Sequence, residues 1–495
     1  MKARKFPVTQ IASLHPAVND YLENALGIKY PQPEDLMHKA ALRSGSFQFR
    51  QTLVESLLQQ HAHLSSGSLV LENIHALQNE RTCTITTGHQ LGVFGGPLFV
   101  ASKVLTVARM AADMNRKQQN YRFVPVFWMA SEDHDFKEIE TAHWRNASWT
   151  WGHPQASCVG ALSSEHLDAG WDWLVTQCPE HQRNLLEQLN ESTRSSEYAI
   201  SFRRLMEHWF EAYGVIVLDP RDKALKSLFQ EHMRKELFGE VRLQQSVSSE
   251  ITEWNSRGYD EAVHVRDINL FYFHEHGRYR IQRNDSGFEL VGSDVRWTHQ
   301  EASDLCIHYP ERFSPNVVMR PIYQETILPN VAYVGGPAEV AYLLQLMPAF
   351  QAFGMEAPSV FLRNHLTLVD ENTEQKCTKI QVSPEEAVSN RDEIIRRWIN
   401  IDLAPMERAK EDIQQVMMRL RAELSEFDVN LGAAADAEMH RIESGLVQLE
   451  KKWAKSMRMK EETSIKQLDT IRERLIPGGS PHERHDAMAL WWARG

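Results

Sequence analysis

Short apolar runs alternate with longer segments of helical periodicity through most of the chain. The short runs are rich in β-branched or aromatic residues, and they lie at 81–87, 123–129, 214–218, 331–334 and 358–362. In the segments between them apolar residues recur every three or four positions, as from Pro97 to Met114, which places Pro97 at the start of a helix. Strands separated by helices form a parallel sheet with helices on both faces. The pattern therefore predicts an α/β core.

Three stretches depart from this alternation. Residues 1–80 predict a helical lead. Residues from about 141 to 195 contain five tryptophans, and residues from about 240 to 315 contain runs of alternating polar and apolar positions. We interpret both of these stretches as insertions that connect parts of one core, which we assign to residues 1–369.

Beyond residue 370 the apolar positions follow a heptad. They occur four and three apart in two runs: Ile413, Met417, Leu420, Leu424 and Phe427, and then Ile442, Leu446, Leu449 and Trp453. Residues 430–432 separate the runs and predict a turn between two long helices. We therefore assign 370–476 to an antiparallel α-helical coiled-coil domain and 477–495 to a C-terminal tail.

The charge balance argues against a nucleic-acid partner. The 495 residues include 54 basic and 66 acidic side chains, a formal net charge of −12. Between Met406 and Leu475 there are 13 basic and 14 acidic residues, whereas an arm that grips RNA is expected to be basic. The coiled coil is therefore expected to contact protein. A basic cluster at 451–460 keeps RNA binding open as the alternative.

The cysteines and the apolar runs indicate the compartment. Five widely spaced cysteines form no CxxC pair, which favours a reducing cytoplasm. The first ten residues lack the apolar stretch of a signal peptide. The apolar runs are far shorter than the roughly 20 residues that span a bilayer. We expect a cytoplasmic protein without a membrane partner.

A glycine-bearing loop follows the first predicted strand. It contains Gly88, His89, Gln90, Gly92, Gly95 and Gly96. Free N–H groups at a helix start favour an anion, and glycines let the backbone approach it closely. A second Gly-Gly-Pro turn, at 335–337, also precedes a helix. If both turns face one crevice, they could hold two anionic groups. The alternative is that the glycines serve only tight turns.

The loop after the second strand is rich in acids. It contains Glu132, Asp133, His134 and Asp135, which could bind an ammonium group, coordinate a metal or act as general acid or base. The alternative is a charged helix start with Asp133 or Asp135 as its cap. Function is favoured because a cap needs only one such residue.

Further candidates are His89, Lys103 and a proline-stiffened region at 313–346. His89 is either a donor or base or simply a polar loop residue, and a polar stripe on its helix explains Lys103 equally well. Arg320 is a natural bidentate clamp for a carboxylate. The neighbouring side chains that can hydrogen-bond are Gln324, Glu325, Asn330, Tyr333 and Glu339. Buried polar pairs that serve the fold are the alternative for most of them.

Three segments of the chain form a long and unusual pattern. They read TTGHQLGVFGGPLFVASK, VPVFWMASEDHDFKEIE and FSPNVVMRPIYQETILPNVAYVGGPAEVAYLLQL, and the coiled coil follows them. Together they resemble the cysteine-adding enzyme family of bacillithiol biosynthesis. The resemblance spans about residues 5–485. It implies a Rossmann-like parallel-sheet core with connecting insertions, a coiled-coil domain and a homodimer formed through that domain.

The resemblance also implies an activity. A carbon–nitrogen ligase of this family joins the carboxyl of cysteine to the amine of glucosaminyl malate and so forms bacillithiol. Its core is similar to class I aminoacyl-tRNA synthetases, which suggests activation by ATP with Mg²⁺. The alternatives are a non-catalytic metabolite-binding scaffold dimerised by its coiled coil and an RNA-linked nucleotidyltransferase-like protein.

These expectations give each candidate residue a role. The catalytic set is His89, Asp133, His134 and Asp135. The substrate-binding set is Gln90, Glu132, Arg320, Gln324, Asn330, Gly335 and Gly336. The nucleotide-binding set is Gly88, Gly92, Gly95, Gly96 and Lys103. No residue is assigned to a resident metal ion.

Overall fold

The computed structural model describes residues 4–5, 7–8, 14–65, 67–152, 157–275, 277–399 and 404–494. The chain divides into a core unit, assigned to Ala12–Leu366 and Glu483–Gly495, and a helical unit, assigned to Met1–Ile11 and Thr367–His482. The predicted tail at 477–495 is therefore not one piece. Its last residues belong to the core because Glu483 is buried there in an ion pair with Arg363.

A five-stranded parallel sheet forms the centre of the core unit, in the order β12-β11-β1-β2-β5. Its strands are β1 (Thr82–His89), β2 (Arg122–Met129), β5 (Ile216–Leu218), β11 (Asn330–Gly335) and β12 (Ser359–Leu362). β1 contains four threonines and one isoleucine and is buried along nearly its whole length, as expected for a strand covered on both faces. Each predicted apolar run forms one of these strands, which confirms the Rossmann-like α/β core.

Most connections between these strands are helical. The helices of the core unit are α1 (Pro16–Leu22), α2 (Pro33–Ser46), α3 (Arg50–Gln60), α4 (Leu69–Ala76), α5 (Phe99–Lys117), α6 (Asp168–Gln177), α7 (Arg183–Thr193), α8 (Tyr198–Phe210), α9 (Lys223–Leu228), α10 (Gln230–Phe238), α11 (Leu243–Ser256), α12 (His299–His308), α13 (Met319–Ile327), α14 (Pro337–Gln345), α15 (Met347–Ala352) and α22 (Met488–Ala493). None of the helices in the described part of the chain is both long and apolar enough to cross a membrane.

Helices α2 and α5 pack against one region of the sheet. Leu36 and Ala40 of α2 and Val107 of α5 are buried against Ile85 of β1 and Val331 of β11. This packing holds the amino end of α5 beside the end of β1.

The prediction that Pro97 begins α5 is wrong, since the helix begins at Phe99 and Pro97 instead forms an isolated β-bridge.

The two stretches predicted as insertions, at about 141–195 and 240–315, lie outside the parallel sheet. The first contains a hairpin of β3 (Thr141–Trp144) and β4 (Ala147–Thr150), followed by α6 and α7. The second contains a separate antiparallel sheet in the order β10-β6-β7-β8-β9. Its strands are β6 (Leu270–His274), β7 (Gly277–Asn284), β8 (Gly287–Leu290), β9 (Arg296–Trp297) and β10 (Phe313–Pro315). Both stretches are therefore insertions into the parallel-sheet core, as predicted.

The helical unit consists of α16 (Glu371–Lys379), α17 (Pro384–Val388), α18 (Arg391–Ile399), α19 (Ala404–Phe427), α20 (Val429–Lys460) and α21 (Glu462–Leu475). Ion pairs of 2.7 Å between Arg421 and Asp436 and 3.2 Å between Lys410 and Glu450 show that α19 and α20 run antiparallel. The predicted antiparallel coiled coil is confirmed.

The predicted position of the coiled-coil turn is wrong. Residues 430–432 belong to α20, and the break falls at Asp428. The side chain of Asp428 accepts a hydrogen bond from the backbone N–H of Asn430 at 2.8 Å, so it caps the start of α20. In the basic cluster at 451–460, the side chains of Arg458 and Lys460 lie outside the described residues.

Candidate functional site

A cavity of about 440 Å³ opens at the carboxyl ends of neighbouring strands of the parallel sheet. Gly88 and His89 end β1, Trp128 lies opposite Gly88 on β2, and Tyr333 lies on β11. Ligands of open parallel sheets bind outside these strand ends, and the volume suits a small molecule. We take this cavity as the candidate active site.

Lys103 of α5 is a buried cation in the cavity wall. Its Nζ donates a hydrogen bond to the carbonyl oxygen of Gly88 at 2.7 Å and pairs with the carboxylate of Glu339. Burial lowers the pKa of Lys103. Burial alone would raise the pKa of Glu339, but Lys103 and two hydrogen-bond donors hold it below its usual value. The pair as a whole adds no net charge to the cavity.

Glu339 also occupies the start of α14. Its Oε1 accepts from the hydroxyl of Tyr333 at 2.6 Å, and its Oε2 accepts from the backbone N–H of Gly336 at 2.9 Å. Gly336 lines the cavity, whereas Gly335 lies behind it at the end of β11. The second Gly-Gly-Pro turn thus meets the cavity through Gly336 alone, and this N–H already has an acceptor.

Arg320 of α13 is a cation of a different kind. Its guanidinium donates to Oε1 of Gln324 at 3.1 Å and to the hydroxyl of Tyr342 at 3.3 Å. It also lies over the ring of Tyr333 at 5.2 Å. Burial would lower its pKa, but Tyr342 and Tyr333 hold it above its ordinary value, so Arg320 stays charged. Among the described residues no carboxylate forms an ion pair with it.

Two further arginines line the cavity. Arg363, which follows β12, forms a bidentate ion pair with Glu483 through its two terminal nitrogens, with N–O distances of 2.7 and 2.9 Å. Arg484, which directly follows Glu483 in the sequence, is exposed and also lines the cavity. The acidic side chain of Glu138 lies on the same lining.

His89 faces the cavity as a neutral imidazole. Burial, with the nearby charge of Lys103, lowers its pKa to about 3. Its ring lies 4.8 Å from the ring of Phe99, the first residue of α5. At neutral pH His89 can therefore accept or donate a hydrogen bond but cannot supply positive charge.

The acidic loop forms a network around Gln90. The Nε2 of Gln90 donates to Asp133 Oδ2 at 2.9 Å and also contacts the carboxylate of Glu138. Burial would raise the pKa of Asp133, but hydrogen bonds from His134 and Gln90 and the charge of Arg278 hold it well below its usual range. Asp133 therefore stays ionised.

The other acidic-loop residues point elsewhere. Glu132 is buried and forms an ion pair of 2.5 Å with Lys226, so its charge is already neutralised. Asp133 accepts from the backbone N–H of His134 at 2.7 Å, and Asp135 precedes a short 3₁₀ turn at Phe136–Glu138. His134 and Asp135 are exposed and do not line the cavity. The loop therefore meets the cavity through Gln90 and Glu138.

The first Gly-Gly-Pro turn does not line the cavity either. Gly95 and Gly96 have φ values of +85° and +76°, which side chains rarely adopt. A Cβ on Gly95 would collide with Trp209, and one on Gly92 would lie 2.7 Å from the Cα of Gly96. These glycines are explained by the turn, and the structure does not support the predicted phosphate cradle at Gly92, Gly95 and Gly96.

Two predicted substrate-binding residues have structural partners instead. Gln324 is buried beneath Arg320 and donates to Oε1 of Glu325 at 3.0 Å. Asn330 begins β11, at the opposite end of the strand from the cavity. Its amide donates to Glu325 at 2.7 Å and accepts from the hydroxyls of Thr84 and Thr86. Asn330 therefore serves the fold rather than the cavity.

The cavity lining best suits a ligand that carries both an anionic group and a basic group. After Lys103 and Arg363 are neutralised, the lining retains two guanidiniums, Arg320 and Arg484, and one carboxylate, Glu138. No group of three or more His, Cys, Asp or Glu side chains is placed to hold a metal ion in the described residues. Binding of a carboxylate or a phosphate is the chemistry that the lining favours.

Several polar lining residues were absent from the predicted candidates: Glu138, Tyr342, Arg363 and Arg484. Arg363 directly follows an apolar strand, so the strand-end rule used for the other loops would have found it. Glu138 lies at the end of the acidic segment after β2, and the same rule would have found it. Arg484 lies far along the chain from every strand, and no local pattern points to it.

Comparisons with known proteins identify the family. The model of the N-terminal Rossmann-like domain of bacillithiol biosynthesis BshC matches residues 1–364, and that of the C-terminal coiled-coil domain matches residues 366–495. A relative from Cytophaga hutchinsonii named "Putative cysteine ligase BshC" is 33% identical over 468 residues, covering 93% of this chain and 87% of the relative.

Relatives of the same name give concordant results. The one from Flavobacterium johnsoniae is 29% identical over 491 residues, covering 96% of this chain and 92% of the relative. The one from Chlorobaculum tepidum is 30% identical over 482 residues, covering 90% and 84%. The matches span both the parallel-sheet core and the coiled coil. The chain therefore belongs to the BshC family of bacillithiol biosynthesis.

Proposed function

We propose that this protein is a ligase that joins the carboxyl of cysteine to the amine of glucosaminyl malate and so forms bacillithiol. Its family membership and the name of its relatives support a cysteine ligase. The observation that carries the proposal is the cavity at the strand ends, which offers unpaired guanidinium groups on one side and carboxylates around Gln90 on another. Both substrates carry carboxylates and an amine.

The proposed substrate contacts follow from this distribution of charge. Arg320 receives a carboxylate of the malate group, because its guanidinium is half-buried and charged and forms no ion pair with a described residue. Asp133 and Glu138, joined by Gln90, attract the ammonium group of cysteine or the attacking glucosamine amine. His89 is neutral and therefore acts as a hydrogen-bond partner.

The cavity also suits an activating nucleotide. ATP with Mg²⁺ would supply a leaving group that a free carboxylate lacks. Arg320 and Arg484 fit its phosphates as readily as they fit a carboxylate, because neither has an acidic partner in the described residues. In this proposal Lys103 acts through Glu339, by holding that carboxylate against Gly336 and Tyr333.

We also propose a homodimer through the coiled coil and a reducing compartment such as the cytoplasm. On α19 the side chains of Val416, Met418 and Phe427 are 60%, 68% and 89% exposed, which is costly for large apolar groups unless they are covered by a partner. All five cysteines are free and buried, which fits a reducing environment.

The activity is tested with purified protein, cysteine, glucosaminyl malate and ATP, with bacillithiol, AMP and ADP followed by mass spectrometry. Thiol formation coupled to release of AMP or ADP is the expected result. Tight metabolite binding without any thiol product contradicts the ligase and favours the scaffold. Transfer of cysteine to RNA instead of to the sugar would favour the nucleotidyltransferase-like alternative.

A further inference from the structure

The C-terminal segment, Glu483–Arg494, returns to the core unit and is anchored there at two points. The first anchor is Glu483, whose carboxylate is completely buried. It accepts from both terminal nitrogens of Arg363 and from the backbone N–H of Leu366 at 2.8 Å. Its desolvation is offset by these donors and by His365, which hold its pKa at about 2, so the anchor is charged at neutral pH.

The second anchor is a set of backbone hydrogen bonds three residues later. The carbonyl of Asp486 accepts from the N–H of Leu98 at 3.0 Å, and the N–H of Met488 donates to the carbonyl of Gly96 at 3.0 Å. Met488 also packs where a Cβ on Gly95 would lie. The first Gly-Gly-Pro turn is therefore a docking point for the C-terminal segment.

Arg484 lies between these anchors, and its position is set by both. Its side chain lines the cavity, and it has no hydrogen bond or ion pair with any other described residue. The neighbouring Arg363 is paired with Glu483 through both terminal nitrogens, and Lys103 is neutralised by Glu339. A surface arginine with no role costs nothing to leave unpaired, but this one is held at the cavity by the buried carboxylate of Glu483 and two backbone hydrogen bonds.

We propose that Arg484 is a substrate-binding residue contributed by the C-terminal segment, and that it binds an anionic oxygen group of the substrate together with Arg320. This rests on the proposed function and adds a contact to it. The shared chemistry is a carboxylate or a phosphate, since both accept guanidinium hydrogen bonds. The two sources are the malate group of glucosaminyl malate and the phosphates of ATP.

Calorimetric binding of glucosaminyl malate and of ATP, each measured separately, tests this without requiring turnover. Arg484→Gln is expected to weaken at least one of the two ligands by about tenfold or more, the loss of one charged hydrogen-bonding group. Loss confined to glucosaminyl malate identifies the carboxylate, and loss confined to ATP identifies the phosphate. The control is Arg109→Gln, because Arg109 is a surface arginine whose side chain is 72% exposed. Affinities of Arg484→Gln equal to those of this control overturn the proposal.

A second variant tests how Arg484 is positioned. Glu483→Gln removes the buried charge opposite Arg363 and is expected to weaken the same ligand while leaving Arg484 in the sequence. Arg484→Lys keeps the charge but loses the planar fork, so it should restore affinity only in part. If Arg484→Lys binds no better than Arg484→Gln and Glu483→Gln binds like the wild type, the positioning role is wrong.

The outcome separates this inference from the proposed ligase activity. A wild-type protein that makes no thiol but binds an anion through Arg484 contradicts the ligase and supports the contact. A protein that makes bacillithiol, and whose Arg484→Gln variant has wild-type affinities for both ligands, supports the ligase and overturns the contact.

Discussion

The two ends of the parallel sheet carry cavities of similar size and different chemistry. The cavity at the carboxyl ends has a volume of about 440 Å³, and a second one, at the amino end of β2, has about 400 Å³. In the second cavity the polar groups satisfy one another. Asn115 exchanges two 2.8 Å hydrogen bonds with the backbone of Phe123, and Arg122 donates to Asn73 at 2.7 Å.

The carboxyl-end cavity is different because its charges do not all balance internally. Arg320 and Arg484 line it without an ion pair among the described residues, and Lys103, Glu138, Glu339 and Arg363 add further charges, whereas Arg122 is the one charged residue that lines the amino-end cavity. A cation in a partly desolvated cavity is stabilised by a ligand that supplies negative charge. The comparison teaches that the charge of the lining, rather than the volume, distinguishes a binding site from a packing gap.

The largest expected effect comes from removing the unpaired cation. Arg320→Ala should lower kcat/KM for bacillithiol formation by at least about 100-fold, because a preorganised charged donor is lost. Steady-state kinetics with mass-spectrometric detection of the thiol measures this. The circular dichroism spectrum should stay native. Wild-type kinetics would show that Arg320 takes no part in the reaction, and its charge would then no longer distinguish the two cavities functionally.

A smaller effect is expected at the acidic side of the same cavity. Asp133→Asn should lower thiol formation by at least about tenfold, because the negative charge that attracts a substrate amine and holds Gln90 at the cavity is lost. The turn itself should survive, since the asparagine carbonyl can still accept from the N–H of His134. The assay is paired with thermal unfolding, and an unchanged rate would show that Asp133 only shapes its loop.

The opposite result is expected at the amino end of the sheet. Asn330→Ala should lower the free energy of unfolding by about 2–3 kcal/mol, because Glu325, Thr84 and Thr86 lose their shared partner. The KM values of the remaining folded enzyme should not change. Urea titration and kinetics on the same sample check both statements. A raised KM with unchanged stability would restore Asn330 to the substrate site.

The smallest effect concerns His89 and pH. Its pKa of about 3 in the folded protein lies below the 6.5 of the unfolded chain, so the unfolded state binds the extra proton as pH falls below 6.5. Folding stability attributable to His89 is therefore present above pH 6.5 and is lost progressively towards pH 3.

The comparison of wild type with His89→Gln isolates this contribution. Between pH 7 and 5.5 the wild type should lose about 1 kcal/mol more of its unfolding free energy than the variant. Denaturant titrations at the two pH values measure the difference. An NMR titration in which the His89 imidazole shifts near pH 6.5 would contradict its burial in the cavity wall.

Much of the architecture could be predicted because its signals are local. Apolar runs such as 123–129 predicted a strand buried on both faces. The spacing of Ile413, Met417 and Leu424 predicted the contact line between two helices. Local signals also produced the errors. A proline before an apolar helix suggested the first helical position, but Pro97 is held in a β-bridge by the returning C-terminal segment.

The candidate site was predicted less completely. Strand-end position led to His89, Gln90, Lys103, Arg320 and Gly336, all of which line the cavity, and their roles stay predictions. Residue type alone could not separate Glu132, which is neutralised by Lys226, from Glu138, which faces the cavity. The two residues lie in the same acidic stretch, and only their distant partners distinguish them.

The sequence by itself determined the order of strands and helices, the insertions and the antiparallel coiled coil, because hydrophobic periodicity records burial along the chain. Only the tertiary structure decided which charges are neutralised and which remain open to a ligand. Pairing of Arg363 with Glu483, and placement of Arg484 beside the cavity, require chain segments far apart in sequence to meet. Ion pairing depends on distance in space, and no local pattern of residues records that distance.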